Sequence, residues 1–190
     1  MSPFITLPGS NSVHGAIVPI AYVNLSSPGI NITFSNIPQT YQDLMLVAFA
    51  RNTQALAING MNLYINTTSQ SPNYWSQTTL AGNGSLTAST RGTTTTIQYG
   101  ATLDMPGSTS TSGVYGSAVY HILNYTNTTT YKTVLGRNAN DQNGSGSVQI
   151  AAALFAQTGA VTTLQIGSGY GANYSAGTTF ALYGIRSVGQ

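Results

Sequence analysis

Charged side chains are nearly absent from this sequence, and glutamate and cysteine are missing altogether. Five of the 190 residues are Lys or Arg and three are Asp, so 4% are charged, against roughly a quarter in an ordinary soluble domain. Without Cys there is no disulfide framework and no thiolate ligand for zinc. Few carboxylates remain for a hydrolytic pair. These absences favour a structural or binding protein, whose weak self-repulsion makes association easy.

The sequence offers no pattern typical of nucleic-acid or membrane partners. The five cations are scattered along the chain: Arg51, Arg91, Lys132, Arg137 and Arg186. They form no basic stripe that would follow phosphates. No apolar run approaches the roughly 20 residues of a membrane helix, and the first residues lack the cationic and apolar regions of a signal peptide. We therefore expect a protein made in the cytoplasm, with neither nucleic acid nor membrane as its partner.

Short apolar runs predict β-strands throughout the chain. Residues 61–66 alternate strictly, residues 148–154 place Val, Ile, Ala and Leu on one face, and Phe180 and Leu182 share one face of a last run. Residues 44–50 are almost continuously apolar, and their short length favours a strand over a helix. Many short strands with regular turn signals are typical of a β-sandwich or barrel.

Three Asn-Gly pairs predict hairpin turns, since Asn and Gly tolerate the positive φ angles of type I′ turns: Asn59-Gly60, Asn83-Gly84 and Asn143-Gly144. The predicted organisation is one β-sandwich domain over residues 21–190. Residues 1–20, kept extended by Pro3 and Pro8, form an N-terminal segment or arm. The alternative is that this segment packs as a first strand on its own sandwich.

Three segments, in order along the chain, resemble structural proteins of tailed bacteriophages. They are residues 32–47 (ITFSNIPQTYQDLMLV), 120–133 (YHILNYTNTTTYKT), and 161–167 (VTTLQIG) followed by 175–185 (SAGTTFALYGI). The resemblance implies a single antiparallel β-sandwich of jelly-roll-like form, as in capsid decoration proteins, head fibres and tail-fibre modules. It implies no catalytic residues.

The titratable residues support few catalytic or metal-binding arrangements. His121 lies on an apolar strand face, where a hydrogen-bonded structural histidine is expected. Asp43 is expected to cap the turn before the apolar run 44–50 or to pair with Arg51. No Gly-x-Ser-x-Gly sequence is present to expose a nucleophilic serine. The sequence therefore predicts no enzymatic activity, no metal site and no cofactor.

Aromatic and amide side chains provide the candidate contacts with a glycan or with another subunit, because aromatic rings bury large areas and stack on flat partners. These candidates are Asn73, Tyr74, Trp75, Tyr170 and Tyr174. Candidate interface residues in the N-terminal arm are Phe4, Ile5 and Leu7.

The sequence predicts a non-enzymatic protein of the virion. The expected function is capsid decoration, in which the protein cements neighbouring capsid subunits and also associates with itself as a homotrimer. The alternative is a tail- or head-fibre adhesin that binds host surface glycan.

Overall fold

The computed structural model describes residues 16–66, 75–82, 87–92, 101–142 and 146–187, with residues 75, 76 and 87–92 described by their backbone. Within these ranges the chain forms twelve strands. They are β1 (Ile17–Asn24), β2 (Asn31–Phe34), β3 (Asp43–Ala50), β4 (Ile58–Ile65), β5 (Trp75–Gly82), β6 (Thr87–Gly92), β7 (Ala101–Pro106), β8 (Gly116–Ile122), β9 (Lys132–Asp141), β10 (Gly146–Phe155), β11 (Leu164–Ser168) and β12 (Thr179–Ile185). A single 3₁₀ turn, Gly169–Gly171, follows β11.

The strands form two antiparallel sheets with jelly-roll topology. The larger sheet has eight strands in the order β1-β12-β3-β8-β9-β10-β5-β6, and the smaller has four in the order β2-β11-β4-β7. The pairs β1–β12, β2–β11, β3–β8 and β4–β7 are nested, so that each pair encloses the next along the chain. This nested pairing is the wrapped hairpin of a jelly roll. The predicted all-β, jelly-roll-like sandwich is confirmed.

Two inserted hairpins widen one sheet. β5–β6 lies between β4 and β7 in the chain, and β9–β10 lies between β8 and β11. In the larger sheet β9–β10 follows β8, and β5–β6 pairs with β10 to form the far edge. Since the smaller sheet has only four strands, the larger sheet extends well beyond the edge of its partner layer.

The apolar core lies between the sheets. Alternation along β3 and β12 turns Leu44, Leu46, Phe180 and Leu182 inward, and all four are 0% exposed. Each fully buried Leu or Phe stabilises the fold by about 1.5–3 kcal/mol. Tyr120 of β8 crosses the core, and its hydroxyl donates to the Met61 carbonyl on the opposite sheet at 2.8 Å.

Amide side chains from the larger sheet satisfy the free edge of β7. Gln77 donates to the carbonyl of Thr102 and accepts from the N–H of Thr102, both at 2.8 Å. Gln149 accepts from the N–H of Asp104 at 2.8 Å, and Asn138 donates to the carbonyl of Asp104. We call these three side chains the amide seam. The seam supplies the hydrogen bonds that an edge strand otherwise lacks.

One predicted turn is wrong, because a long-range contact overrides the local turn preference. Asn59 and Gly60 lie inside β4. Asn59 is 3% exposed, and its amide donates to the carbonyl of Gly169 at 3.0 Å. The other two predicted turns, at residues 83–84 and 143–144, lie outside the described residues, although the strands that flank them do pair.

The predicted N-terminal boundary lies inside a strand. β1 begins at Ile17 and pairs with β12 up to Ile185, so residues 17–20 belong to the sandwich. Residues 1–15, which include Phe4, Ile5 and Leu7, lie outside the described part of the chain.

Candidate binding surface on the larger sheet

The outward side of the larger sheet, which we call the outer face, carries most of the large apolar side chains that solvent reaches. Strand alternation turns one residue in two away from the core. The apolar side chains of the outer face are Ile17, Tyr22, Met45, Val47, Phe49, Leu80, Val119, Leu135, Val148, Ile150, Leu154, Tyr183 and Ile185. Val148 and Ile150 remain 59% and 62% exposed. Because these side chains lie on adjacent strands, they form one contiguous surface. Isolated exposed apolar residues, by contrast, are common on any protein.

Strand register aligns these side chains into a central row across seven strands. The row consists of Tyr22, Ala181, Val47, Val119, Arg137, Ile150 and Leu80. Six of the seven are apolar or aromatic. Arg137, on β9, is the one charged member and lies directly between Val119 and Ile150.

Two adjoining grooves run over the outer face. The larger has a volume of about 370 Å³ and the smaller about 310 Å³. Met45, Leu135 and Ile185 line the larger groove, while Val148 and Ala139 line the smaller. The residues that line both grooves are Val119, Arg137 and Ile150. The middle of the central row is thus the junction of the two grooves.

Electrostatic contacts on the outer face are few. Asp43 accepts a hydrogen bond from the N–H of Asn124 at 2.7 Å, and its second oxygen lies 3.5 Å from Nε2 of His121. Asp43 therefore pairs with the histidine, and the expected pairing with Arg51 is wrong. Arg51 instead donates to four backbone carbonyls, those of Ser108, Ser110, Thr111 and Val114. Its guanidinium holds the 108–114 loop in place.

The sequence-predicted contact residues do not converge on this face. Tyr174 is 0% exposed, and its hydroxyl donates to the carbonyl of Gly167 at 2.8 Å. This corrects its assignment as a glycan or interface contact, because its ring packs in the core. Tyr170 is 83% exposed, in the 3₁₀ turn with φ of 55°. Residues 73–74 lie outside the described ranges, and Trp75 is placed only by its backbone in β5.

The cross-strand neighbours of His121 are Met45 and Leu135, neither of which carries a nucleophilic group. No group of three His, Asp or Glu residues that could hold a metal ion occurs among the residues that the structure describes. Within the same ranges, no helix is long and apolar enough to cross a membrane.

Sequence reasoning did not identify the outer face, although its signals were present. The alternation of residues 148–154 correctly placed four apolar side chains together, but alternation does not say which face meets solvent. No protein-family model matches this chain, and no curated protein or solved structure matches it. The chemistry of the outer face is therefore the basis for assigning a function.

Proposed function

We propose that this chain is a non-enzymatic structural protein of a phage virion, a decoration protein that binds neighbouring capsid subunits through its outer face. The observation that carries the proposal is the contiguous apolar surface on the larger sheet, centred on Val119, Leu135 and Ile150. Large exposed apolar patches mark sites of interaction. The resemblance of three chain segments to phage structural proteins supports the same assignment.

The size of the outer face suits a stable protein interface. Seven strands at about 4.8 Å spacing span about 34 Å, and roughly seven residues of each strand span about 23 Å. The resulting area of about 780 Å² is close to the roughly 800 Å² that each partner contributes to a standard interface. The face therefore offers enough area for specific docking on another protein.

The chemistry of the face favours a protein partner over a sugar. Its central side chains, Val119, Val148 and Ile150, are aliphatic and branched. Such side chains pack against other apolar side chains, whereas sugar rings stack on flat aromatic rings. Low charge also supports self-association, because only 4% of the residues are charged and repulsion between copies is weak. A homotrimer in the virion is accordingly part of the proposal.

A fibre adhesin that binds host glycan is the second candidate, and Tyr170 is the observation that favours it. Its ring is 83% exposed and its backbone holds a φ of 55°, a conformation that bulky residues rarely adopt. Such strain is typical of functional positions. Binding to a glycan array that is lost in Tyr170→Ala would support this function.

Capsid binding by two threonine variants tests the main proposal. Threonine keeps the β-branch, so the strands should stay intact. In the double variant Val148→Thr/Ile150→Thr, each hydroxyl buried without a partner should cost about 1–3 kcal/mol of binding free energy. Co-sedimentation with capsids of the same phage should therefore weaken at least tenfold.

The matched control is Ile30→Thr, which changes an isoleucine that is 49% exposed and precedes β2 on the smaller sheet. This control should bind capsids like the wild type. Wild-type protein that never co-sediments with capsids, or a double variant that binds as tightly as Ile30→Thr, would contradict the proposal.

A further inference from the structure

We infer that Arg137 determines the specificity of the outer face by binding a carboxylate, an Asp or Glu side chain that the partner protein presents within an apolar surface. The inference rests on the proposed function in one respect, namely that the outer face docks a protein. It goes further by naming the chemistry which that protein must carry.

Arg137 differs from Arg51 and Lys132, whose charged groups are held by backbone carbonyls. Arg51 donates to four carbonyls at 2.7 to 3.1 Å. Lys132 is 0% exposed and donates to the carbonyls of Thr130 and Thr158 at 2.8 and 3.1 Å. The guanidinium of Arg137 has no hydrogen bond or ion pair within the described residues. Its donors are available to a partner.

The surroundings of Arg137 make a partner necessary once the face is covered. Val119 and Ile150 stand directly opposite it on the adjacent strands, and Leu135 and Ala139 flank it along β9. A protein docked on these side chains would strip water from the guanidinium. A buried charge without a partner is strongly unfavourable, so the docking surface must supply acceptors at this point.

A carboxylate fits this requirement best. The guanidinium presents a planar fork of donors that two carboxylate oxygens match with parallel hydrogen bonds. The two grooves on either side of Arg137 take the apolar side chains that surround such an acid, because both grooves are lined largely by apolar residues. Apolar burial then provides affinity, and the single ion pair fixes position and partner choice.

A second copy of this chain does not place a carboxylate against Arg137 as well as a different partner protein can. A two-fold axis through Arg137 would bring two guanidinium groups together. An axis near Ala139 would bring Asp141 of one copy towards Arg137 of the other, since both residues point outward on β9. That arrangement centres the contact on Ala139, which lines the smaller groove, and not on Met45 and Leu135, which line the larger groove.

Cross-linking through a substituted lysine tests the inference directly. Arg137→Lys keeps the charge and places an amine at the centre of the face. Treatment of the variant bound to phage capsids with a carbodiimide should join that amine to a neighbouring carboxylate, which mass spectrometry then identifies. We expect an Asp or Glu of the capsid protein. A cross-link to a second copy of this chain, or none from a variant that still binds, would overturn the inference.

Binding measurements with matched variants provide the second readout. Arg137→Met keeps most of the apolar stem but removes the charge, and removing one partner of a buried charge pair should weaken capsid binding by about 30-fold or more. Arg137→Lys should bind more tightly than Arg137→Met, because lysine keeps the charge. It should bind less tightly than the wild type, because lysine lacks the planar fork of donors of the guanidinium. Thermal unfolding should be unchanged in both, since Arg137 is exposed.

These experiments separate failure of the inference from failure of the proposed function. Wild-type protein that does not bind capsids would overturn both. If the wild type binds, Val148→Thr/Ile150→Thr weakens binding and Arg137→Met binds like the wild type, then the face is a docking site but Arg137 does not select the partner.

Discussion

Replacing Gln77 by methionine should destabilise the sandwich strongly, although the substitution keeps the length and most of the volume of the side chain. Gln77 is 9% exposed, and its amide makes two 2.8 Å hydrogen bonds with the backbone of Thr102. Methionine supplies neither the donor nor the acceptor. The N–H and the carbonyl of Thr102 would then face an apolar side chain within a closed interface.

The expected magnitude follows from the two groups left without partners. Each unsatisfied buried donor or acceptor costs about 1–3 kcal/mol, so the free energy of unfolding should fall by about 2–6 kcal/mol. At about 2–4 °C per kcal/mol for a domain of this size, Tm should fall by about 4–24 °C. Urea unfolding followed by circular dichroism measures the change.

Gln165→Met is the matched control for this prediction. Gln165 is also a strand glutamine, but it makes a long, exposed hydrogen bond of 3.4 Å to the Thr33 hydroxyl. Exposed substitutions of this kind change stability by about 0.5 kcal/mol or less. Equal unfolding midpoints for Gln77→Met and Gln165→Met would refute the reasoning that the amide seam stabilises the β7 edge.

Two further predictions concern pH and the N-terminus. Burial raises the pKa of Asp104 above its usual 3.8. Its contribution to stability is therefore present below about pH 4 and lost as pH rises through the higher folded-state value. The side chain of the Asp104→Asn variant stays neutral at every pH, so the stability of the variant relative to the wild type should increase between pH 3 and pH 7. A difference in urea midpoint between the two proteins that does not change with pH would contradict this. Deleting residues 1–14 should leave the circular dichroism of the sandwich intact, since β1 begins at Ile17, but weaken co-sedimentation with capsids. Full capsid binding by the truncated chain would show that the apolar Phe4, Ile5 and Leu7 are not an attachment arm.

Strand alternation made much of the fold predictable. A period of two in the sequence translates directly into the two faces of a strand. Phe180 and Leu182 were placed on one face of the last strand, and the structure buries both in the core. The short apolar run 44–50 predicts a strand, and these residues lie in β3, between β12 and β8.

The orientation of β10 was not predictable from hydrophobicity, because its more apolar face meets solvent. Val148 and Ile150 point outward, while Gln149 points inward with 9% exposure. A buried glutamine is stable only where another element presents unpaired backbone groups, and here the edge of β7 presents them. That edge is distant in sequence, so nothing near residue 149 indicates it. Because this contact holds Gln149 inward, its neighbours Val148 and Ile150 point outward, and the apolar face of β10 is exposed.

Tyr174 was misassigned for a related reason. Aromatic residues in a glycine-rich loop are compatible with an exposed binding site, but this ring packs edge-on against Phe180, with centroids 5.1 Å apart. The hydroxyl of Tyr174 donates a hydrogen bond to the backbone carbonyl of Gly167 inside the protein. Since the acceptor belongs to β11, the local sequence does not distinguish this tyrosine from its exposed neighbour Tyr170.

The scarcity of charge and the apolar outer face have a common physical basis. Covering about 780 Å² of a typical surface would remove water from many charged groups, each of which would then need a partner. In this protein Arg51 and Lys132 donate to backbone carbonyls, and side-chain amides satisfy the free edge of β7. Arg137 is the one charged residue of the central row, whereas the Asp43–His121 pair and Asp141 lie away from it on the same face. Docking over the central row therefore removes water from the guanidinium of Arg137, and the partner must supply a group that neutralises this charge.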